Sequence, residues 1–402
     1  MDHPVFPMAS RASETNHVSR IAWRQRLKRD LAVLHDTGAY RALPSPADPT
    51  GHDGTAQLNL SSNDYLGLSR HAELWREFLS KQVAEPDRLS PFGACSSRLL
   101  DGNRPENAVL EATVSAAYGG RSVLVLGSGY HANVGLLSCL AGKGDLVLGD
   151  KLNHASLIDG MRLCDAEFRR YPHLDYDHLN RRLAKDRRRY DTVFLVSESV
   201  YSMDGDVADL RRLVELKHKY DAVLVVDEAH AVGVFGPQGA GWAAREGLLG
   251  EIDVLVGTFS KALCSLGAYI VTEPIVREML VNRMRTLLFT TALPPITLRW
   301  SRFVWEHVRG MDAKRTNLLA RTEQLREGLR RRGYATGGVS QIVPLVVGDN
   351  DGAVRLASRL RDAGIRVFAI RPPTVPPGTA RLRFSLHADL TESDVDEVLS
   401  AL

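Results

Sequence analysis

A mostly parallel α/β fold, followed by a smaller α+β domain at the C-terminal end, is the architecture this 402-residue sequence predicts. Three observations lead there. Between Val123 and Val271 short runs recur that are apolar along their whole length, as strands buried on both faces are. Stretches at helical spacing separate those runs, the alternation of a parallel sheet with crossover helices. After Leu293-Pro-Pro295 the order changes to a long Arg-rich helical region, then strands and two shorter helices.

In chain order, residues 1–19 are polar, lack an apolar signal-like core and read as disordered. Ile21–His35 carries apolar residues at helical spacing among many Arg and Lys, which predicts an amphipathic helix. A linker rich in Pro, Gly and Asp, Pro44–Gly54, closes this N-terminal segment, residues 1–56. The large domain, 57–295, opens through Leu58-Asn-Leu60 and Ser61-Ser-Asn-Asp-Tyr-Leu-Gly-Leu68, with helix-start signals at Asn63 and Asp64. Its strands are expected at Val123–Leu126, Leu146–Leu148, Thr192–Ser197, Ala222–Val226, Val254–Val256 and Ala268–Val271. Its helices include Asn133–Ala141, Ala155–Leu163, Leu174–Ala184 and Val207–Tyr220. In the C-terminal domain, 296–402, helical Ile296–Arg332 precedes a strand at Gln341–Val347 and a helix at Gly352–Ala363. Strands at Arg366–Ile370 and Ala380–Leu386 and a helix at Glu392–Leu402 complete it.

Composition excludes several classes of function. A net charge of +3 and 25% charged residues give no reason to expect nucleic acid or an anionic membrane as partner. The Arg187–Arg189 and Arg330–Arg332 clusters read as solvated helix faces. The four cysteines show no CxxC spacing, so neither a metal site nor a disulfide framework is expected. No run approaches the ~18 apolar residues of a membrane span, and a cytoplasmic protein is the default expectation.

The chemistry centres on Gly257-Thr-Phe-Ser-Lys-Ala-Leu-Cys-Ser-Leu-Gly267, where Lys261 follows an apolar strand. The preceding strand, Ala222–Val226, ends in Asp227, with His230 three residues on. A lysine amine beside a strand-end carboxylate is what pyridoxal phosphate requires: one forms the Schiff base, the other partners the pyridinium nitrogen. Burial would lower the lysine pKa and leave it nucleophilic near neutrality. In parallel sheets, ligands collect at the carboxyl ends of strands, where both residues fall. Leu126-Gly-Ser-Gly-Tyr-His-Ala-Asn133 is a strand, a glycine-rich turn and a helix start, a cup for a phosphate. Thr258 and Ser260 add hydroxyls to it. His154 lies just beyond the second strand, either as a helix cap or stacked on the cofactor ring. Ser202 and His230 are placed to bond the cofactor's phenolic oxygen. Near the C-terminus Arg381 and Arg383 share a strand face, and an arginine there suits a substrate carboxylate.

With those residues in hand, the chain resembles the α-oxoamine synthases, fold-type I pyridoxal phosphate transferases that condense an amino acid with an acyl thioester and release carbon dioxide. The resemblance runs from about Leu58 to the C-terminus. It is carried by Ser61-Ser-Asn-Asp-Tyr-Leu-Gly67, Asn153-His-Ala-Ser156, Ser202-Met-Asp-Gly205, Asp227-Glu-Ala-His230, Thr258-Phe-Ser-Lys261 and Arg371-Pro-Pro-Thr-Val-Pro-Pro-Gly378. It implies that Lys261 binds the cofactor covalently, Asp227 partners the ring nitrogen and His154 stacks on the ring. It further implies that Ser202 and His230 contact the phenolic oxygen, and that Gly129, Tyr130 and Thr258 hold the phosphate. Thr290 and Thr291 resemble residues reaching a neighbouring subunit's phosphate in a homodimer. Asn63 and Arg383 would meet the substrate carboxylate. The proline-rich signature is most similar to the family member using L-alanine and a pimeloyl thioester, carried on coenzyme A or on an acyl carrier protein. One departure is Gly93-Ala-Cys-Ser-Ser-Arg98, where the family commonly has Gly-Ser-Gly before Ser-Arg, so Ala94 and Cys95 bear on substrate choice.

Overall fold

The computed structural model describes residues 12–41, 43, 58–84, 92–372 and 374–402, with side chains described from Arg20 onward. The linker Pro44–Gly54 and the first eleven residues, part of the stretch expected to be disordered, lie outside the described residues.

The first described element is a helix, α1 (Ala12–Asp36), so the expectation of disorder through Ser19 is corrected for residues 12–19. The helix forms, but Trp23, Leu27, Leu31 and Leu34, which share one face, are all exposed, as are Ile21 and Val33. Neither hydrophobic core cluster includes any of them, so the expected burial of an amphipathic face is not met in the single chain. The chain then passes through β1 (Leu58–Asn59) to the large sheet. Its strands are β2 (Ser122–Leu126), β3 (Leu146–Asp150), β4 (Glu167–Tyr171), β5 (Val193–Glu198), β6 (Val223–Asp227), β7 (Val254–Thr258) and β8 (Ala268–Thr272). They lie in the order β2-β8-β7-β6-β5-β3-β4. Strands β4, β3, β5, β6 and β7 pair in parallel, whereas β8 is antiparallel to both β7 and β2. Strands β3, β5, β7 and β8 are buried along their whole length, which explains their apolar runs. In this sheet the strand the sequence conceals is β4: Glu167-Phe-Arg-Arg-Tyr171 is an edge strand with only Tyr171 buried. Charge on such an edge blunts unwanted pairing and removes the apolar signal.

In the C-terminal part β9 (Ala335–Thr336), β10 (Ile342–Gly348), β12 (Ala369–Ile370) and β13 (Ala380–Ser385) form an antiparallel sheet in the order β12-β13-β10-β9. The single strand expected at Arg366–Ile370 is split, because β11 (Ile365–Arg366) leaves this sheet and pairs in parallel with β1. Leu58 and Leu60 donate their amides to Gly364 O and Arg366 O, both at 2.9 Å. Residues 58–60 thus pair with a strand of the C-terminal part, although they precede the large sheet in sequence. The helical region expected at Ile296–Arg332 is two helices, Pro295–Val308 and Asp312–Arg331, interrupted at Gly310. One hydrophobic cluster runs from Leu60 through the sheet to Leu399, so the two parts share a core. Each fully buried Val, Leu or Phe in it contributes ~1.5–3 kcal/mol relative to exposure.

Candidate active site

The carboxyl ends of β5, β6 and β7 meet at one point, and each supplies a functional residue. At β7, Gly257 lies so close to Tyr269 that a Cβ would sit 2.1 Å from its ring, so only glycine fits. The chain then turns sharply, with Phe259 N donating to Gly267 O at 3.0 Å and Ser265 N to Phe259 O at 2.9 Å. That turn sends Lys261 toward His230, whose Nε2 lies 2.9 Å from Nζ. Desolvation pulls the lysine pKa down to about 8; Asp227 and Glu198 resist the fall, and Arg383 adds to it.

Asp227, at the end of β6, is buried and held at both oxygens. Ala229 N donates to Oδ1 at 2.8 Å, and Asn133 Nδ2 to Oδ2 at 2.7 Å. Asn133 also donates to Ser156 Oγ at 2.9 Å, which lies 2.7 Å from His154 Nδ1. One buried amide therefore orients the carboxylate and, through a hydroxyl, the imidazole. His154 is the N-cap of the helix Ala155–Leu163, so its role as a cap and its placement beside Asp227 coexist. Burial leads the lowering of its pKa.

Glu198 ends β5 directly opposite Asp227 in the ladder and accepts a hydrogen bond from His154 N. Burial, then the neighbouring Asp227 charge, hold its carboxyl well above the usual range. Two like charges this close do not both ionise easily, which favours the protonated form of the Glu198 carboxyl. Sequence reasoning missed both Asn133 and Glu198. Position gave the only signal: Asn133 sits in the first turn after the glycine-rich loop, and Glu198 ends an apolar strand.

The glycine-rich turn caps the helix Gly129–Leu140, with Ser128 Oγ accepting from His131 N at 3.1 Å. The first amides, Gly129 and Tyr130, have no intrahelical acceptor by the geometry of a helix start. A Cβ on Gly129 would lie 4.0 Å from Thr258 Oγ1, so the cup and the Thr258 hydroxyl are adjacent. That hydroxyl donates to Gly267 O at 2.9 Å and lies 2.8 Å from Ser260 Oγ. The Tyr130 phenol points elsewhere, donating to Asp159 at 2.6 Å, so the amide is its contribution here. Thr290 and Thr291 line a pocket with Arg98, Gly127 and Ala292, and Lys261 is not among the residues that line it.

On the other side of Lys261 stand residues from the C-terminal part. Arg381 and Arg383 share a face of β13, as period 2 requires, but the structure separates their roles. Arg381 is paired with Asp204, whereas Arg383 donates Nε to Ser202 O and Nη2 to Asn63 Oδ1 at 3.1 Å. Tyr65, fully buried, joins the two sides: its hydroxyl lies 2.6 Å from His230 Nδ1 and 3.1 Å from Asn63 Oδ1. Two hydrogen arrangements are open to this chain. With Lys261 charged, the lysine donates to His230 Nε2, Nδ1–H donates to Tyr65, and Tyr65 donates to Asn63. With Lys261 neutral, Tyr65 donates to Nδ1 and Nε2–H donates to the lysine, while the phenol gives up its bond to Asn63 Oδ1, which keeps Arg383 as donor. Burial, then Lys261 and Arg383, hold the His230 pKa well below its usual value, so the ring is neutral in both.

The donor set fits pyridoxal phosphate. It offers an amine of depressed pKa, a carboxylate fixed by two donors, an imidazole beside it, and a helix N-terminus flanked by hydroxyls. Among the described residues no group of His, Cys, Asp and Glu is placed to hold a metal ion, and no described helix is long and apolar enough to cross a membrane. Fold and site together define a fold-type I pyridoxal phosphate enzyme.

Comparison with known proteins narrows that class. The aminotransferase class I and II family profile matches residues 55–402. The 8-amino-7-oxononanoate synthase of Chlorobaculum parvum is 48% identical over 96% of this chain and 97% of its own length. That of Haemophilus ducreyi is 44% identical over 92% and 98%. Among solved structures, a single-residue variant of the serine palmitoyltransferase from S. paucimobilis, with bound PLP–myriocin aldimine, superposes with a TM-score of 0.83. It shares 29% identity and covers 95% of this chain and 96% of its own. An 8-amino-7-oxononanoate synthase from Francisella tularensis superposes with a TM-score of 0.72 at 26% identity, covering 86% and 96%. The chain belongs to the aminotransferase class I and II family and, within it, to the 8-amino-7-oxononanoate synthases, α-oxoamine synthases that use pyridoxal phosphate as acyltransferases.

Proposed function

We propose that this chain condenses L-alanine with a pimeloyl thioester, giving 8-amino-7-oxononanoate, carbon dioxide and a free thiol, a step of biotin synthesis. The observation that carries the reading is the hydrogen-bonded chain Lys261–His230–Tyr65–Asn63–Arg383, which couples an amine of depressed pKa to a carboxylate-binding guanidinium. In this reading Arg383 and Asn63 bind the amino-acid carboxylate and set the Cα–H toward Lys261. Lysine Nζ, neutral in a large share of molecules near pH 8, removes that proton. When bound, pyridoxal phosphate supplies the electron sink that makes the proton acidic, with Asp227 keeping its ring nitrogen charged. His230, neutral and held by Tyr65, steadies Lys261 and is positioned to donate to an oxygen carrying developing charge. Arg383 then faces the carboxylate that leaves as carbon dioxide.

The assembly we propose is a homodimer in the cytoplasm. It rests on the family resemblance and on Thr290 and Thr291 lining a pocket that Lys261 of the same chain does not line. The acyl pocket is where a relative using glycine or serine would differ. Ala94, which the resemblance assigns to the substrate pocket, is buried, and Cys95 adopts φ 58°, a left-handed conformation that favours glycine. The test is thiol release with L-alanine, glycine or L-serine, each paired with pimeloyl-coenzyme A or palmitoyl-coenzyme A. Release with L-alanine and the pimeloyl donor is expected. Turnover of serine or glycine with the longer chain would keep the chemistry and replace the substrates, and transamination of a keto acid without thiol release would overturn the acyl transfer.

A further inference from the structure

The imidazole of His173 touches none of the groups that hold cofactor or substrate. It lies between β4 and the helix Tyr176–Asp186. Its Nδ1 is 2.8 Å from Asp150 Oδ1 and its Nε2 is 2.7 Å from Asp206 Oδ2. Carboxylate oxygens only accept, so both ring nitrogens donate and the ring is an imidazolium. Burial pushes its pKa down, but its hydrogen bonds to Asp150 and Asp206 and their charges outweigh that and leave it pushed up to about 10. The ring also stands edge-on to Tyr201, at 4.5 Å between centroids and 88° between planes.

The two carboxylates belong to different working parts. Asp150 ends β3, and its side chain accepts from Leu152 N at 2.8 Å and Leu174 N at 2.9 Å, so it shapes the turn that presents His154. Asp206 lies on the returning arm of a tight hairpin in which Val200 bridges Val207. At its tip Gly205 has φ 67°, and a Cβ there would lie 2.0 Å from Ile342 O, so the hairpin is pressed against β10. The same hairpin supplies Ser202 O to Arg383 and Asp204 to Arg381. Its base is fixed by Ser199 N donating to Asp227 O at 2.9 Å.

We propose that His173 is a positioning residue, a charged staple that fastens the Ser202 hairpin to the His154 turn and thereby sets the Arg383 guanidinium for the substrate carboxylate. The proposal rests on the assignment of Arg383 to that carboxylate. The staple is a cation between two anions, so its strength follows the proton on His173. An imidazolium whose pKa is raised by closure contributes fully below about 6.5, the ordinary value, and the contribution is lost as pH rises through about 10. The other charged or titratable groups facing this cluster are Asp204, Tyr171, Tyr176 and Tyr201. Burial leads the upward shift of every one of these phenols. Arg381 is engaged with Asp204.

The experiment compares wild-type holoenzyme with His173→Gln and Asp206→Asn, reading amide hydrogen exchange over residues 199–207 and the kinetic constants for the amino acid. Both variants should exchange faster in 199–207 while the helix Pro105–Ala117 keeps its protection. His173→Gln should raise KM for the amino acid roughly tenfold with kcat within about threefold, as expected for a lost charge-assisted hydrogen bond. Asp206→Asn removes one of the two carboxylates, so His173 should lose its proton at lower pH. The ratio of its KM to that of wild type should then climb between pH 7 and 9, while the ratio for His173→Gln stays flat. Unchanged exchange and KM in both variants, a loss confined to kcat, or global unfolding of both would overturn the proposal. A wild type inactive with every amino acid would sink the functional reading instead, and the exchange comparison would still decide the staple.

Discussion

The two sides of Lys261 are built on different plans. The cofactor side is made at the ends of neighbouring parallel strands, where Glu198, Asp227 and Thr258 sit at the ends of β5, β6 and β7. Their spacing is fixed by the sheet, and Asp227 is held by donors from two elements. The substrate side is assembled from pieces far apart in sequence: Asn63 before the large sheet, Ser202 on a hairpin, and Arg383 on the C-terminal sheet. Rigidity is inherited on one side and has to be made by side-chain contacts on the other. The first therefore suits chemistry common to many reactions, and the second suits the choice among substrates.

Substitutions that separate kcat from KM can break this contrast. The largest effect is expected for Asp227→Asn, which removes the charge and turns an amide NH2 onto one of the two donors that hold the carboxylate, with a loss of about 10²–10³-fold in kcat. It should also lower the pH at which Lys261 becomes a free amine, since the Asp227 carboxylate raises that pKa. The rate of cofactor uptake against pH measures this, and an effect on KM alone would contradict the division. Next is Arg383→Lys, which keeps the charge but loses the fork that holds Ser202 O and Asn63. A rise of roughly 10–100-fold in KM for the amino acid is expected, from hydrogen bonds to a charged group worth ~1.5–3 kcal/mol. Equal damage to kcat would place Arg383 on the cofactor side. The smallest is Tyr65→Phe, which removes the single hydroxyl shared by His230 and Asn63. About fivefold in kcat/KM is expected, divided between both constants, for one neutral hydrogen bond of ~1 kcal/mol. Steady-state kinetics with the accepted amino acid decide it.

The same contrast explains what the sequence made legible. Lys261 and Asp227 follow strands buried along most or all of their length, so an apolar run followed by a reactive residue announced each of them. Asn133 could not be read that way, because its partner Asp227 is 94 positions away and only the packing of the helix Gly129–Leu140 on the sheet brings them together. Period 2 placed Arg381 and Arg383 on one face, yet which of them takes Asp204 depends on the hairpin that meets β13. The edge strand β4 was hidden by its own charged residues, and the split between β11 and β12 by a partner strand more than 300 positions earlier, as the pairing of Leu58 with Ile365 implies. Partner choice, rather than element type, is what one chain read alone leaves open.

The central claim is that Lys261, with its amine freed by burial, is where pyridoxal phosphate attaches. The direct test is to add the cofactor to purified wild type and to Lys261→Ala, dialyse, and record visible absorbance across pH 6–10. The account predicts a yellow band in wild type that survives dialysis, with an uptake rate that rises with pH and is half-maximal near 8, where burial brings the lysine pKa. In Lys261→Ala the retained band should be lost. A wild type that retains no band, or a variant that retains the same band with the same pH dependence, would contradict it.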